Sequence, residues 1–178
     1  MSLSKEFRNP NAVFLVPLGG LGEIGMNMMA LVHDGRAVVI DCGVSFPDSY
    51  FPGTEIVMPK IDFFREFKIP TDAIVLTHSH EDHLGAVGYL HRHLGSPPIY
   101  GTNFTLAMLR PRFKEHQALN ESLINEIKPK KKFRIGAFEF EPLRVTHSLV
   151  DCIGLGIDTP AGKIVHTGDF KIDQNPID

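Results

Sequence analysis

The chain has 178 residues, of which 43% are hydrophobic and 22% are charged, a composition typical of a globular domain that buries a core. Its formal net charge of -3 at pH 7 gives no global electrostatic reason to expect a nucleic-acid partner, although a local basic patch could still bind one. The N-terminal MSLSKEF has no apolar signal segment, no run is long enough to span a membrane, and Cys42 and Cys152 lie far apart, so we expect a soluble, cytoplasmic protein with reduced thiols.

Apolar runs separated by turn residues predict strands in the first third of the chain. The run AVFLVPL (12–18) ends at two glycines, and two further runs flank Asp34-Gly35, a dipeptide typical of a two-residue hairpin turn. IDFFREFK (61–68) then predicts a short helix, and DAIVLT (72–77) predicts another strand.

Helices are predicted next, followed by a second group of strands. Helical patterns cover residues 82–93, 103–116 with an interruption near Pro111, and 118–127, with the short strand IYG (99–101) between the first two. The last third returns to strands in FRIG, FEFEPLRV, IGLGID and KIVHTG. This order predicts a layered α/β fold. The chain stops soon after a strand with no closing helix, so we expect it to be truncated.

Residues 78–83, HSHEDH, crowd side chains that bind metals directly after an apolar strand. His78 and His80 are two apart in an extended segment, so both imidazoles can point to one metal ion. Asp82 and His83 fall in the first turn of the following helix and can reach a second ion nearby. Imidazole and carboxylate ligands favour zinc, with manganese possible. Glu81 should point away from both ions.

Three other strand ends, one before residues 78–83 and two after them, carry similar side chains. His147 follows the run LRV, and Asp169 follows KIVH at a glycine turn, which makes both candidate ligands. Taken singly, each would more often be an ordinary polar residue at the end of a strand. Asp41, in VVIDCG, has no second ligand nearby, and we expect it to orient a histidine or the loop backbone.

Residues 78–83 match HxHxDH, the signature of the metallo-β-lactamase fold, and the chain resembles that family. LGGLGEIGMN (18–27), THSHEDHLGA (77–86), HSLVD (147–151) and IVHTGDFKID (164–173) together resemble ribonuclease J, of the β-CASP branch. Ser79, Met26 and the SLV that follows His147 depart from the usual pattern, but none of these changes removes a ligand. The resemblance implies an αββα sandwich. Residues 1–178 would supply its N-terminal part, with the first sheet, its helices and the start of the second half.

The resemblance also implies a ligand set and an activity. His78, His80 and His147 would bind one metal, Asp82 and His83 the other, and Asp169 would bridge both. Two divalent ions could hold a hydroxide that attacks a phosphodiester, and we expect Asp82 and Asp169 to be catalytic. The implied substrate is single-stranded RNA, cut as a 5′-to-3′ exonuclease and an endonuclease. The β-CASP domain and a last metal-binding histidine would lie outside this chain. The full-length protein would be a homo-oligomer.

Two other functions fit the same residues. The ligand set also serves hydrolases of small thioesters or lactones, and a metal-stabilised scaffold for RNA-decay partners would need no catalysis. GGLGEIGMN (19–27) lacks a Walker lysine, so we read it as a structural turn near the site. The basic run KPKKKFR (128–134) is more typical of a solvated surface than of an RNA contact. The remaining histidines, which we read as structural or exposed, are His33, His91, His93, His116 and His166.

Overall fold

The computed structural model of the protein describes residues 3–47, 53–116 and 120–175. Within them, ten strands form two sheets that share a buried apolar interface. The main sheet runs in the order Val13–Gly19 (β1), Met28–His33 (β2), Arg36–Ile40 (β3), Thr71–Val75 (β4), Ile99–Gly101 (β5) and Ile124–Glu126 (β6). The second sheet has the order β10-β9-β8-β7 and consists of Phe133–Ile135 (β7), Phe138–Arg144 (β8), Ile153–Thr159 (β9) and Gly162–His166 (β10).

Helices cover the face of the main sheet that is turned away from the second sheet. Leu84, Val87, Leu106 and Phe113 pack there with strand residues such as Val39. The layers are therefore helix, sheet and sheet, as a partial αββα sandwich requires. The helices are Leu3–Glu6 (α1), Asp62–Glu66 (α2), Glu81–Leu84 (α3), Val87–Leu90 (α4) and Asn103–Glu115 (α5).

The central strands of the main sheet are buried on both faces, which explains their unbroken apolar sequences. Side chains alternate along a strand, so in β3 Val39 packs under the helices while Val38 and Ile40 pack against the second sheet. In β2, Leu31 and Val32 divide in the same way. The hydrophobic effect thus fixes which face of each strand meets which layer.

The predicted hairpin at Asp34-Gly35 is confirmed. Both residues have positive φ, 46° and 72°, as a type I′ turn requires, and β2 pairs with β3 on either side of them. The predicted strands and the short helix α2 are confirmed as well.

Two details of the helical prediction are wrong. Helix α5 runs through Pro111 without interruption, because the buried Leu109 and Phe113 on either side of the proline anchor it to the core. The helix predicted over 118–127 begins outside the described residues. Residues 121–123 form a 3-10 turn, and Ile124–Glu126 pairs in parallel with β5, so sheet pairing overrides the local helical pattern.

The topology brings four strand ends to one edge of the sandwich. β3 and β4 are parallel, so Asp41 and His78 leave the main sheet on the same side. β8 and β10 both run antiparallel to β9, so the segments carrying His147 and Asp169 also leave the second sheet together. Among the described residues, no helix combines the length and the apolar character needed to cross a bilayer.

Candidate metal centre

Three histidines from two different segments surround one point at this edge. His80 Nδ1 lies 3.0 Å from His78 Nε2 and 3.2 Å from His147 Nε2. The ligand-type atoms of the three residues all lie within 4.8 Å of one another. We call His78, His80 and His147 the outer group. Its members come from the end of β4 and from the loop that follows β8.

A second set of side chains shares His78 with the first. His78, His83 and Asp169 also bring their ligand-type atoms within 4.8 Å of one another, and we call them the inner group. Asp169 faces both groups, because its Oδ1 is 3.5 Å from His83 Nε2 while its Oδ2 is 3.8 Å from His147 Nε2. Asp82 Oδ2 lies 3.6 Å from His83 Nε2. All six sequence-predicted ligands therefore lie in one cleft.

Asp41 supports the inner group from behind. Its Oδ1 accepts a hydrogen bond from the Thr77 backbone N–H, and its Oδ2 accepts from Thr77 Oγ1 and His83 Nδ1, all at 2.8 Å. The carboxylate is only 2% exposed, so each of these bonds forms away from water. Because His83 Nδ1 is held by Asp41, the Nε2 atom faces the cleft and is free to bind a ligand.

Burial and neighbouring charges give the histidines different proton affinities. Burial and the nearby His83 lower the pKa of His78 to about 4. Burial also acts to lower the pKa of His83, but the Asp41 carboxylate, with Asp82 and Asp169, raises it to about 9. For Asp41 itself, burial acts to raise the pKa, and the charge and hydrogen bond of His83 outweigh it, so the pKa falls below its ordinary value. Asp41 and His83 thus form a buried ion pair.

The donor atoms in the cleft fit a divalent metal ion. In the outer group, imidazole nitrogens face one another at hydrogen-bond distance, an arrangement that a shared cation satisfies better than a shared proton. His78 Nδ1 lies 3.0 Å from Thr77 Oγ1, which leaves His78 Nε2 for the cleft. Nitrogen and oxygen donors without thiolate suit zinc and related borderline ions. The free cysteines Cys42 and Cys152 are buried, and burial raises the pKa of the Cys42 thiol.

Sequence reasoning missed two side chains of the cleft. Asn27 and His166 line a cavity of about 180 Å³ together with Asp41, His83 and Asp169. The sequence carried no ligand-type signal for Asn27, which ends the glycine-rich segment 19–27. Glu81 contributes no atom to either group. It pairs instead with Arg112, and this ion pair links α3 to α5.

Comparisons with known proteins place this sequence in a family with the same fold. The sequence pattern of the metallo-beta-lactamase superfamily matches residues 22–176. Ribonuclease J of Helicobacter pylori strain 26695 is 41% identical over 168 residues, covering 94% of this chain and 24% of that protein. Ribonuclease J of Thermus thermophilus is 41% identical over 173 residues, covering 93% of this chain and 30% of that protein. The chain thus spans less than a third of the length of these relatives.

Solved structures agree on the fold. The metallo-beta-lactamase fold protein YhfI from Bacillus subtilis superposes with a TM-score of 0.61 at 18% identity, covering 90% of this chain and 63% of that one. At that identity the likeness shows the fold alone. Since the family pattern matches nearly the whole chain and the two-sheet architecture agrees with it, this chain belongs to the metallo-β-lactamase superfamily.

Proposed function

We propose that this chain supplies most of the two-metal centre of a ribonuclease of the J type, which hydrolyses RNA phosphodiesters. The observation that carries the proposal is the pair of ligand groups that share His78, with Asp169 facing both. Identity of 41% to proteins named Ribonuclease J, over 94% of this chain, supports RNA as the substrate.

The residues divide between two divalent ions, for which zinc is the first candidate and manganese the second. His78, His80 and His147 would hold one ion, Asp82 and His83 the other, and Asp169 both. Two such ions supply a nucleophile at neutral pH by lowering the pKa of water, and they neutralise charge on the phosphodiester oxygens.

Asp82 and Asp169 are the proposed catalytic carboxylates. The Asp169 side chain is 47% exposed, the largest value among the six ligand candidates, so it can accept a hydrogen bond from water in the cleft. Asp82 is one third exposed and lies beside His83. Burial of His78 and His83 keeps bulk water from the opposite side of the cleft. Water therefore enters the cleft from the side on which Asp169 is exposed.

Broader features of the activity rest on the relatives. We propose single-stranded RNA as the substrate, with 5′-to-3′ exonuclease and endonuclease activity, in a cytoplasmic homo-oligomer. The chain matches less than a third of each relative, so we also propose that a β-CASP domain and the rest of the metallo-β-lactamase domain are supplied outside these 178 residues. On that basis the 178-residue chain alone should be nearly inactive, because the substrate is not positioned.

The test uses the longer protein that carries this sequence and a 5′-monophosphorylated, fluorescent single-stranded RNA. His80→Ala and Asp169→Asn should each abolish cleavage while RNA binding changes little, since most affinity comes from phosphate contacts elsewhere. Asp158→Asn, the same chemical change at an exposed site on β9, is the control and should cleave normally. Turnover of either ligand variant within a few fold of wild type would refute the assignment. Hydrolysis of a thioester but not of RNA would favour the alternative enzyme class, and no hydrolysis of either would favour the scaffold.

A further inference from the structure

The glycine-rich segment 19–27 delivers one polar side chain, Asn27, to the metal cleft. Backbone hydrogen bonds fasten this residue to the cluster: the Asn27 N–H donates to the Asp82 carbonyl at 2.9 Å, and the Gly43 N–H donates to the Asn27 carbonyl at 3.0 Å. The adjacent Met26 N–H donates to the Val44 carbonyl at 2.9 Å. Asn27 is thus fixed between the segment that follows Asp41 and the one that contains Asp82.

Two glycines make this close approach possible. A Cβ on Gly43 would collide with the Asp82 carbonyl, so only glycine lets the segment after β3 lie against α3. Gly20 has a φ of +84°, and a Cβ there would lie 2.5 Å from Asn27 Oδ1. Gly43 therefore lets the two segments approach each other, and Gly20 makes room for the Asn27 amide.

The amide of Asn27 faces two acceptors and a ring nitrogen. Its Nδ2 lies 3.2 Å from the Asp82 carbonyl oxygen, 3.2 Å from Asp82 Oδ2 and 3.0 Å from His83 Nε2. An amide nitrogen carries two hydrogens. When His83 Nε2 carries a proton or a cation it accepts no hydrogen bond, so both amide hydrogens are left for the oxygens of Asp82.

We propose that Asn27 is a positioning residue of the metal centre, which holds the Asp82 carboxylate in place for the ion bound through His83. This inference rests on the proposed two-metal centre. The Asp82 side chain is one third exposed, and without the amide its carboxylate is free to rotate into solvent. The outer group lies beyond the reach of Asn27 Nδ2, whose side-chain partners are Asp82 and His83.

The experiment titrates the metal-free longer protein that carries this sequence with Co²⁺, followed by absorption spectroscopy and calorimetry. Wild type should bind two ions. Asn27→Ala, and Asn27→Leu, which keeps the volume but loses the amide, should weaken one of the two ions by at least about tenfold and change its absorption spectrum. The other ion should bind as in wild type. Asn103→Ala is the matched control, since its exposed amide lies 3.4 Å from the Glu126 carboxylate, outside the cleft.

The outcomes separate this inference from the proposed function. Fewer than two ions on wild type would remove the two-metal centre and the role of Asn27 with it. Two ions on wild type, with unchanged affinities in both variants, would overturn the role of Asn27 alone. Equal weakening of both ions would show a general structural effect and would also overturn it. Thermal unfolding of the metal-free proteins checks the fold, which the backbone bonds of Asn27 should preserve in every variant.

Discussion

The inner and outer groups share His78 but differ in how the protein supports them. The inner group rests on a buried pair, with Asp41 2% exposed and the His83 side chain 3% exposed, joined by a 2.8 Å hydrogen bond. In the outer group the His147 side chain is 19% exposed and comes from a loop of the second sheet. His83 is therefore fixed by the main sheet before any ion arrives, whereas each group also takes one side chain from the second sheet, His147 in the outer group and Asp169 in the inner group.

The two groups also differ in charge. With a pKa of about 9, His83 carries a proton at neutral pH in the metal-free protein, while His78, with a pKa of about 4, does not. Burial, only partly opposed by Asp169, also lowers the pKa of His147. The inner group must therefore release a proton before it can bind a cation, and the outer group has less to release.

The largest expected effect comes from Asp169, the side chain that would bind both ions. Asp169→Ala should weaken both ions by about 100-fold or more, above the range for losing an outer partner of a ligand. His83→Ala and His147→Ala should each weaken one ion. Metal titration of the purified longer protein that carries this sequence measures this, with the exposed His93→Ala as the control. Normal affinity for either ion in Asp169→Ala would show that the two ions do not share this ligand.

The buried pair should dominate the stability of the metal-free protein. Asp41→Asn keeps the shape but leaves His83 Nδ1 and Thr77 Oγ1 without a charged acceptor, which should lower the free energy of unfolding by about 3 kcal/mol. Urea denaturation in chelator measures the change. Asp158→Asn, which alters only exposed ion pairs, should leave it almost unchanged. Similar losses in both variants would remove the distinction between supported and unsupported carboxylates.

Proton release should distinguish the groups by pH. Because the pKa of His83 is raised to about 9, its proton opposes metal binding below that pH, so the affinity of the inner ion should rise about tenfold per pH unit from pH 7 towards pH 9. Calorimetry in buffers of different ionisation enthalpy should detect about one proton released with this ion. The outer ion should show a weaker dependence. An equal slope for both ions would contradict the charge difference.

The smallest expected effects concern two hydroxyl groups, one hydrogen-bonded behind the inner group and one beside the outer group. Thr77 is fully buried and its Oγ1 donates to Asp41 at 2.8 Å, so Thr77→Val should destabilise the metal-free protein by about 1–2 kcal/mol. Ser148 Oγ lies 3.4 Å from His80 Nε2 at an exposed position, so Ser148→Ala should cost less than about 0.5 kcal/mol. Chemical denaturation compares the two. A larger loss from Ser148→Ala would reverse the proposed ranking.

Local sequence signals predicted much of the fold and the centre of the site. Asp34-Gly35 specified its hairpin because a type I′ turn needs two residues that accept positive φ. Residues 78–83 predicted a cluster of ligands because consecutive positions after a strand lie at the same sheet edge. Such features depend on neighbours in the chain, so the sequence displays them directly.

Features that depend on distant contacts could not be read in this way. Asn27 meets Asp82 across 55 positions, and no local pattern records that contact. Residues 124–126 have a helical pattern, but pairing with β5 makes them a strand. Pro111 should break a helix, yet packing of Leu109 and Phe113 holds α5 intact. In the last two cases tertiary contacts outweigh a local preference worth about 1–3 kcal/mol.

The most direct test of the two-group centre is a crystal structure of the longer protein that carries this sequence, grown with zinc and measured at the zinc absorption edge. The account predicts two anomalous peaks per chain. One should lie among His78, His80 and His147, and the other beside Asp82 and His83, with Asp169 next to both. A single peak, or peaks away from these side chains, would contradict it.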